Sequence, residues 1–207
     1  MDIFIYLFVA LFSVLNPIGT VPIFVGLTQG YTASERSKTS LVTSINVFII
    51  LMISFFVGQY VLSFFGITIT ALRIAGGIII ASSGFSLLNG NFSKNKGINK
   101  KVQKEVEARQ HIALTPLAMP MLAGPGSISL LIAYYQELGE SGSAITSAEI
   151  LFSCLAILAV AILIYIVLRS AHYLAKILGS SGIVAISRII GFLTIAIGIQ
   201  YIISATL

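Results

Sequence analysis

Thr115-Pro116-Leu117-Ala118-Met119-Pro120-Met121-Leu122-Ala123-Gly124-Pro125-Gly126-Ser127-Ile128-Ser129 lies inside an apolar run that is otherwise long enough to cross a membrane. Three prolines and two glycines fall within it. Each proline removes a backbone donor and crowds the preceding turn, so a continuous helix is not expected here. In hydrocarbon, broken backbone persists only where protein or a water-filled cavity meets the freed polar groups. The stretch is therefore either a packing kink or a binding site, and the rest of the chain decides between them.

The composition sets the class. Of 207 residues, 57% are hydrophobic and 9% charged, with a mean hydropathy of +1.02. Soluble domains carry about 25% charged residues, so this chain reads as an all-α polytopic membrane protein. The net charge of +5 would point to nucleic acid in a soluble protein. Here its distribution along the loops matters more, and no nucleic-acid partner is expected. The single Cys154 excludes an intrachain disulfide and CxxC redox chemistry, and no metal cage is expected. Met1-Asp2 has no basic segment before the first apolar stretch, which reads as a retained helix rather than a cleaved signal.

Six spans follow in order. The first runs from Ile3 to about Leu27 and is interrupted at Asn16-Pro17-Ile18-Gly19-Thr20-Val21-Pro22. The second runs from Leu41 to about Phe65, after a polar segment in which Thr32 or Ser34 caps a helix. The third runs from about Ile69 to Leu88, and the fourth from Ile112 to about Tyr135. The fifth is Ile150–Leu168, and the sixth begins at Ile183, after a connector ending in Gly179-Ser180-Ser181-Gly182. Residues 91–111 form a loop with Lys94, Lys96, Lys100, Lys101, Lys104 and Arg109. Placing this loop in the cytoplasm puts Arg36, Lys38, Arg169 and Lys176 on the same side and both termini outside.

The halves resemble each other. Pro17 and Pro22 are five apart with Gly19 between them, and Pro120 and Pro125 are five apart with Gly124 between them. Arg73-Ile74-Ala75-Gly76 and Arg188-Ile189-Ile190-Gly191 each lie near the start of a span. With three spans per half, residues 112–207 enter the membrane opposite to residues 1–90. This predicts an inverted repeat with spans one and four broken at the midplane, the plan of many secondary transporters.

The two broken segments, Asn16 to Phe24 and Pro116 to Ile128, resemble the paired signature of the MarC family. The resemblance covers the whole chain. It implies a member of the LysE-like transporters in the cytoplasmic membrane, a family group that includes carriers of small neutral amino acids such as glycine and alanine. It allows proton or sodium coupling without selecting either, and implies no other cofactor.

The residues themselves suit such a guest. A helix N-terminus has unpaired N–H groups and a partial positive charge, and favours a carboxylate. Asn16 is suited as N-cap and Pro17 as first helical residue. Pro125 is the corresponding first residue in the fourth span. Gly126, Ser127 and Ile128 are then expected to present free N–H groups, with a hydroxyl from Ser127. Freed carbonyls at the ends of the preceding half-helices suit an ammonium. The expected substrate contacts are Asn16, Pro17, Gly19, Thr20, Pro120, Gly124, Gly126 and Ser127.

Arg73 and Arg188 are charges near span interiors, and either snorkel to the interface or act as gates on opposite sides. Gly76, Gly77, Gly84, Gly191 and Gly198 are expected to permit close helix packing. All seven carboxylates fall at termini or in loops, so no buried acidic relay is visible. Ser127 lacks a histidine within reach as general base, so an enzyme is not expected. A passive channel, or an exporter of another small solute, is the alternative to a carrier. The small-residue faces are compatible with a homo-oligomer.

Overall fold

A computed structural model describes residues 2–28, 30–89, 117–118, 122–140 and 145–205. Among them are seven α-helices and no strand: α1 Asp2–Leu15, α2 Pro17–Leu27, α3 Ala33–Phe65, α4 Ile69–Leu88, α5 Pro125–Glu140, α6 Ser147–Arg169 and α7 Ala171–Ile203. The basic loop 91–111 and Pro120 lie outside the described residues.

Local chemistry sets the helix ends. At the start of α3 it selects Thr32 over Ser34 as cap. Thr32 Oγ1 accepts from the Glu35 N–H at 3.3 Å, and the Glu35 carboxylate accepts from the Thr32 N–H at 2.7 Å. The helix stops at Gly66, whose φ of 64° suits a residue without a side chain. The Ile67 N–H then reaches back to the Leu62 carbonyl at 2.9 Å, closing a Schellman turn. Two residues later Thr68 caps α4 by accepting from the Ala71 N–H at 3.2 Å. The connector expected between Leu168 and Ile183 is itself helical from Ala171, as the first arm of α7, and contracts to one corner. Gly179, at φ 60° and ψ 177°, is the non-helical point between two helical arms. α5 continues helical through Glu140, five residues beyond the expected end at Tyr135.

Among the described residues, five stretches are long and apolar enough to cross a membrane: Ile3–Val21, Ala33–Phe65, Ile69–Leu88, Ser147–Arg169 and Val184–Ile203. The 20 residues of α4 extend about 30 Å, the thickness of a hydrocarbon core. Outward-facing side chains such as Phe64, Phe65, Ile53, Ile162 and Phe192 are more than half exposed or close to it. So much exposed apolar surface fits lipid rather than water. Inside, Leu7, Leu11, Leu15, Phe24, Leu51, Phe55, Ile80, Leu131, Val160 and Ile164 form one buried cluster.

α4 and α7 lie antiparallel in near backbone contact. A Cβ added at Gly77 would sit 2.6 Å from the Gly198 carbonyl oxygen, and one at Gly198 would sit 2.6 Å from that of Gly77. Gly84 and Gly191 make the same reciprocal pair, at 2.7 and 2.9 Å. In each helix the paired glycines are seven residues apart, two turns on one face. Gly76 lies against Ser129, so α5 docks on α4 through a small residue as well. These glycines serve the close packing that their number in the spans implies.

Candidate functional site

The first span breaks at Asn16. Its φ of 43° and ψ of 64° place it in the left-handed region, alone among described non-glycine residues. Asparagine tolerates this region better than most side chains. Pro17 then opens α2, and the Asn16 carboxamide oxygen accepts from the Gly19 N–H at 3.1 Å. A side chain on Gly19 would collide with that carboxamide, which is why the position is glycine. The Thr20 hydroxyl donates to the Asn16 carbonyl at 3.2 Å.

This cap changes which atoms remain open. Gly19 is an expected substrate contact, but its N–H is already used by Asn16. Because the Gly19 group is a donor, the oxygen of the carboxamide takes its proton, while Nδ2 lies over the Gly19 Cα, where an added Cβ would meet it first. Asn16 is 2% exposed, and among the described residues Nδ2 has no partner. A buried donor left unpaired costs about 1–3 kcal/mol. It is a place for an acceptor.

Pro17 also frees a carbonyl. It has no N–H to give to Ser13, four residues earlier. Thr194 of α7 supplies the missing donor, its Oγ1 lying 3.0 Å from the Ser13 oxygen. Pro22 similarly withholds a donor from the Ile18 carbonyl inside α2.

In the fourth span the approach is wound loosely. The Ala123 N–H reaches back five residues to Ala118 at 2.8 Å, and the Gly124 N–H turns to Leu122 at 2.9 Å. α5 starts at Pro125. The Gly124 carbonyl accepts from the Ser127 N–H at 3.1 Å, the Ile128 N–H at 3.2 Å and the Ser127 hydroxyl at 2.9 Å. Ser127 and Ile128 therefore do not present free N–H groups, and the Ser127 hydroxyl is turned onto its own chain. Turn formation at Gly124 takes precedence. The Gly126 N–H donates to no described residue. Gly126 is buried, Gly124 partly so, and Pro125 exposed.

The two breaks are neighbours. A Cβ on Gly126 would lie 3.5 Å from Val14 Cγ1 and 2.9 Å from Ile80 Cγ1. Val14 is two residues before Asn16. The correspondence between them differs from the proline spacing, however. The first break uses the leading proline of its pair, Pro17, and the second uses the trailing one, Pro125. Asn16-Pro17 thus matches Gly124-Pro125.

Arg73 and Arg188 differ in surroundings. The Arg73 guanidinium lies 2.9 Å from the Glu137 carboxylate and donates to the Ser204 carbonyl at 3.3 Å. It ties the start of α4 to the ends of α5 and α7. The rings of Tyr6 and Tyr134 lie 6.1 Å apart. Arg188 is exposed and lines an open hollow with Ser181, Val184 and Ala185. At the other end of the bundle Leu41 of α3 and Tyr165 of α6 line one groove, and the Arg169 guanidinium donates to the Tyr165 hydroxyl at 2.7 Å. The basic ends of α3, α6 and α7 thus share one side.

The chain matches the profile of the MarC family integral membrane proteins over residues 1–207. A membrane protein of Buchnera aphidicola subsp. Schizaphis graminum is 40% identical over 204 residues, covering 97% of this chain and 90% of its own. The membrane protein YhcE of Escherichia coli is 37% identical over 198 residues, covering 95% and 88%. The inner membrane protein MarC of Escherichia coli is 38% identical over 205 residues, covering 96% and 91%. No solved structure matches. This chain belongs to the MarC family of integral membrane proteins.

Proposed function

We propose that this protein is a secondary transporter of small neutral amino acids such as glycine and alanine. The observation that carries the reading is the buried Asn16 Nδ2, unpartnered among the described residues, in the first of two neighbouring breaks, the second of which holds a Gly126 N–H that donates to no described residue. Two donors at adjacent helix starts suit a carboxylate. The Ile18 carbonyl, deprived of its donor by Pro22, suits the ammonium. Ile80 and Val14 crowd Gly126 so closely that even an added Cβ would touch them, which favours a guest with little side chain.

On this reading the chain has six spans in two inverted repeats, residues 1–90 and 112–207, joined by the basic loop 91–111. The reciprocal glycine contacts of α4 and α7 support a two-fold relation between the halves. The shared side of Arg36, His172 and Arg169 supports a cytoplasmic face there, with both termini outside in a cytoplasmic membrane. Alternating access then comes from one repeat rocking against the other. The protein acts as a carrier and not as an enzyme.

Counterflow in vesicles tests this. Vesicles containing the purified protein and unlabelled alanine should accumulate labelled glycine transiently. Flux that does not saturate and shows no exchange would instead mark a channel. No flux of either amino acid, with flux of another small solute, would replace the substrate. Proton and sodium gradients imposed in the same vesicles identify the coupling ion.

A further inference from the structure

A groove on the outward face between α3 and α6 lies away from the two breaks. Its cavity of about 180 Å³ is lined by Leu41, Ile45, Phe48, Leu158, Ala161 and Ile162, with the buried Ser44 among them and Tyr165 at one end. Ile45 and Ile162 are about half exposed. The walls carry no exposed polar surface. Such a groove accepts hydrocarbon.

Its Tyr165 end is cationic. The Arg169 guanidinium lies 5.6 Å from the Tyr165 ring centroid and donates to the Tyr165 hydroxyl at 2.7 Å. That contact holds the charge over the groove mouth. Lys38 is three residues before the groove residue Leu41, hence one turn beyond it on the same helix face. Lys38 and Arg169 are exposed, and among the described residues neither has a carboxylate partner. Arg36 and Lys176 add positive charge at the same end.

We infer that this groove is a binding site for an anionic phospholipid, with one acyl chain between α3 and α6 and the headgroup phosphate between Lys38 and Arg169. The apolar length and the charged rim match the two parts of such a lipid. A second copy of the chain fits less well, because it would bring a second pair of cations against the first. The site is independent of the transport reading.

The protein has no tryptophan, so one introduced indole reports on its own surroundings. Ile45→Trp places it in the groove. Phe192→Trp, on the exposed face of α7, is the control. Each variant is reconstituted in phosphatidylcholine vesicles containing phosphatidylglycerol, with one or the other lipid brominated. At residue 45 phosphatidylglycerol should quench several-fold more effectively than phosphatidylcholine, since each interfacial cation contributes about a five-fold preference. At residue 192 the two should quench alike. Lys38→Gln with Arg169→Gln should abolish the preference at 45. Equal quenching at 45 would overturn the site, as would a preference that survives the double substitution. Quenching by neither lipid would also overturn it, since another protein copy would then cover the groove.

Discussion

The Thr194 hydroxyl lies 3.0 Å from the carbonyl oxygen of Ser13, the carbonyl that Pro17 leaves without a helical donor. The same hydroxyl lies 2.8 Å from the carbonyl of Ile190 on its own helix. One proton is therefore shared between two acceptors, and α7 is pinned to the break in the first span. Thr194→Val keeps the shape and removes the proton. It should cost about 1–3 kcal/mol, the penalty of a buried acceptor left unmet. Thermal unfolding in detergent should show a lowered midpoint. Thr194→Ser should restore most of it, and a valine variant as stable as wild type would show that the carbonyl finds another donor.

The glycine contacts between α4 and α7 give a second, differential prediction. A methyl at Gly198 would press on the Gly77 oxygen and the Ala81 nitrogen, both at 2.6 Å. Both are backbone atoms, so relief requires the helices to part. Gly198→Ala should destabilise by about 1–3 kcal/mol, the usual range for overpacking. Gly26→Ala is the control. Gly26 lies in α2 with nothing within 4 Å of a new Cβ, and alanine there should stabilise by about 0.5–1 kcal/mol through helix propensity. Equal midpoints for both variants would show that the glycines are not in contact in the membrane.

Much of this architecture is legible in the residues, and what is hidden has a physical reason. Pro17 announces the first break because proline has no N–H, and Asn16 announces its own cap. The packing role of Gly77, Gly84, Gly191 and Gly198 also follows from composition. The choice between two prolines of a pair does not, since Pro22 is tolerated inside α2 while Pro125 starts α5. Glu137 reads as a loop acid because its tie to Arg73 joins positions 64 apart in sequence. Open N–H groups were expected at Ser127 and Ile128. Whether a nearer carbonyl takes them depends on the turn at Gly124, which spacing alone does not fix. Thr194 is detectable in principle: the Ser13 carbonyl needs a donor, and a hydroxyl in another span is the cheapest source.

Arg73 and Glu137 join three helix ends on the side of the termini, so they should hold that side closed. Partly exposed pairs contribute about 0.2–1 kcal/mol, enough to bias two states of similar energy by up to about five-fold. The background is Cys154→Ser, which removes the chain's single cysteine. In it, Ser127→Cys provides a thiol next to the second break. Arg73→Gln or Glu137→Gln should speed its labelling by a water-soluble reagent added on the side of the termini. The exchange Arg73→Glu with Glu137→Arg should slow it again. Labelling rates indifferent to all three would show that the pair closes nothing.

The strongest test of the site separates the two ends of one carboxamide. Asn16→Asp keeps an oxygen for the Gly19 N–H and a side chain that tolerates positive φ. It replaces the Nδ2 donor, unpartnered among the described residues, by an oxygen. A carboxylate guest then faces an acceptor, or a like charge, where it needs a donor. Transport should fall at least ten-fold, with KM rising because ground-state binding is lost. Asn16→Gly loses both the cap and the donor but relieves the backbone, so its stability should stay within about 1 kcal/mol of wild type. Its transport should fall as in the aspartate variant. Asn16→Ala loses the same groups and adds left-handed strain of about 1–2 kcal/mol, so it should be the least stable of the three. If transport tracks stability across the series, Asn16 is a structural cap only. If transport is lost in all three while the aspartate and glycine variants remain folded, the open Nδ2 is what the substrate meets.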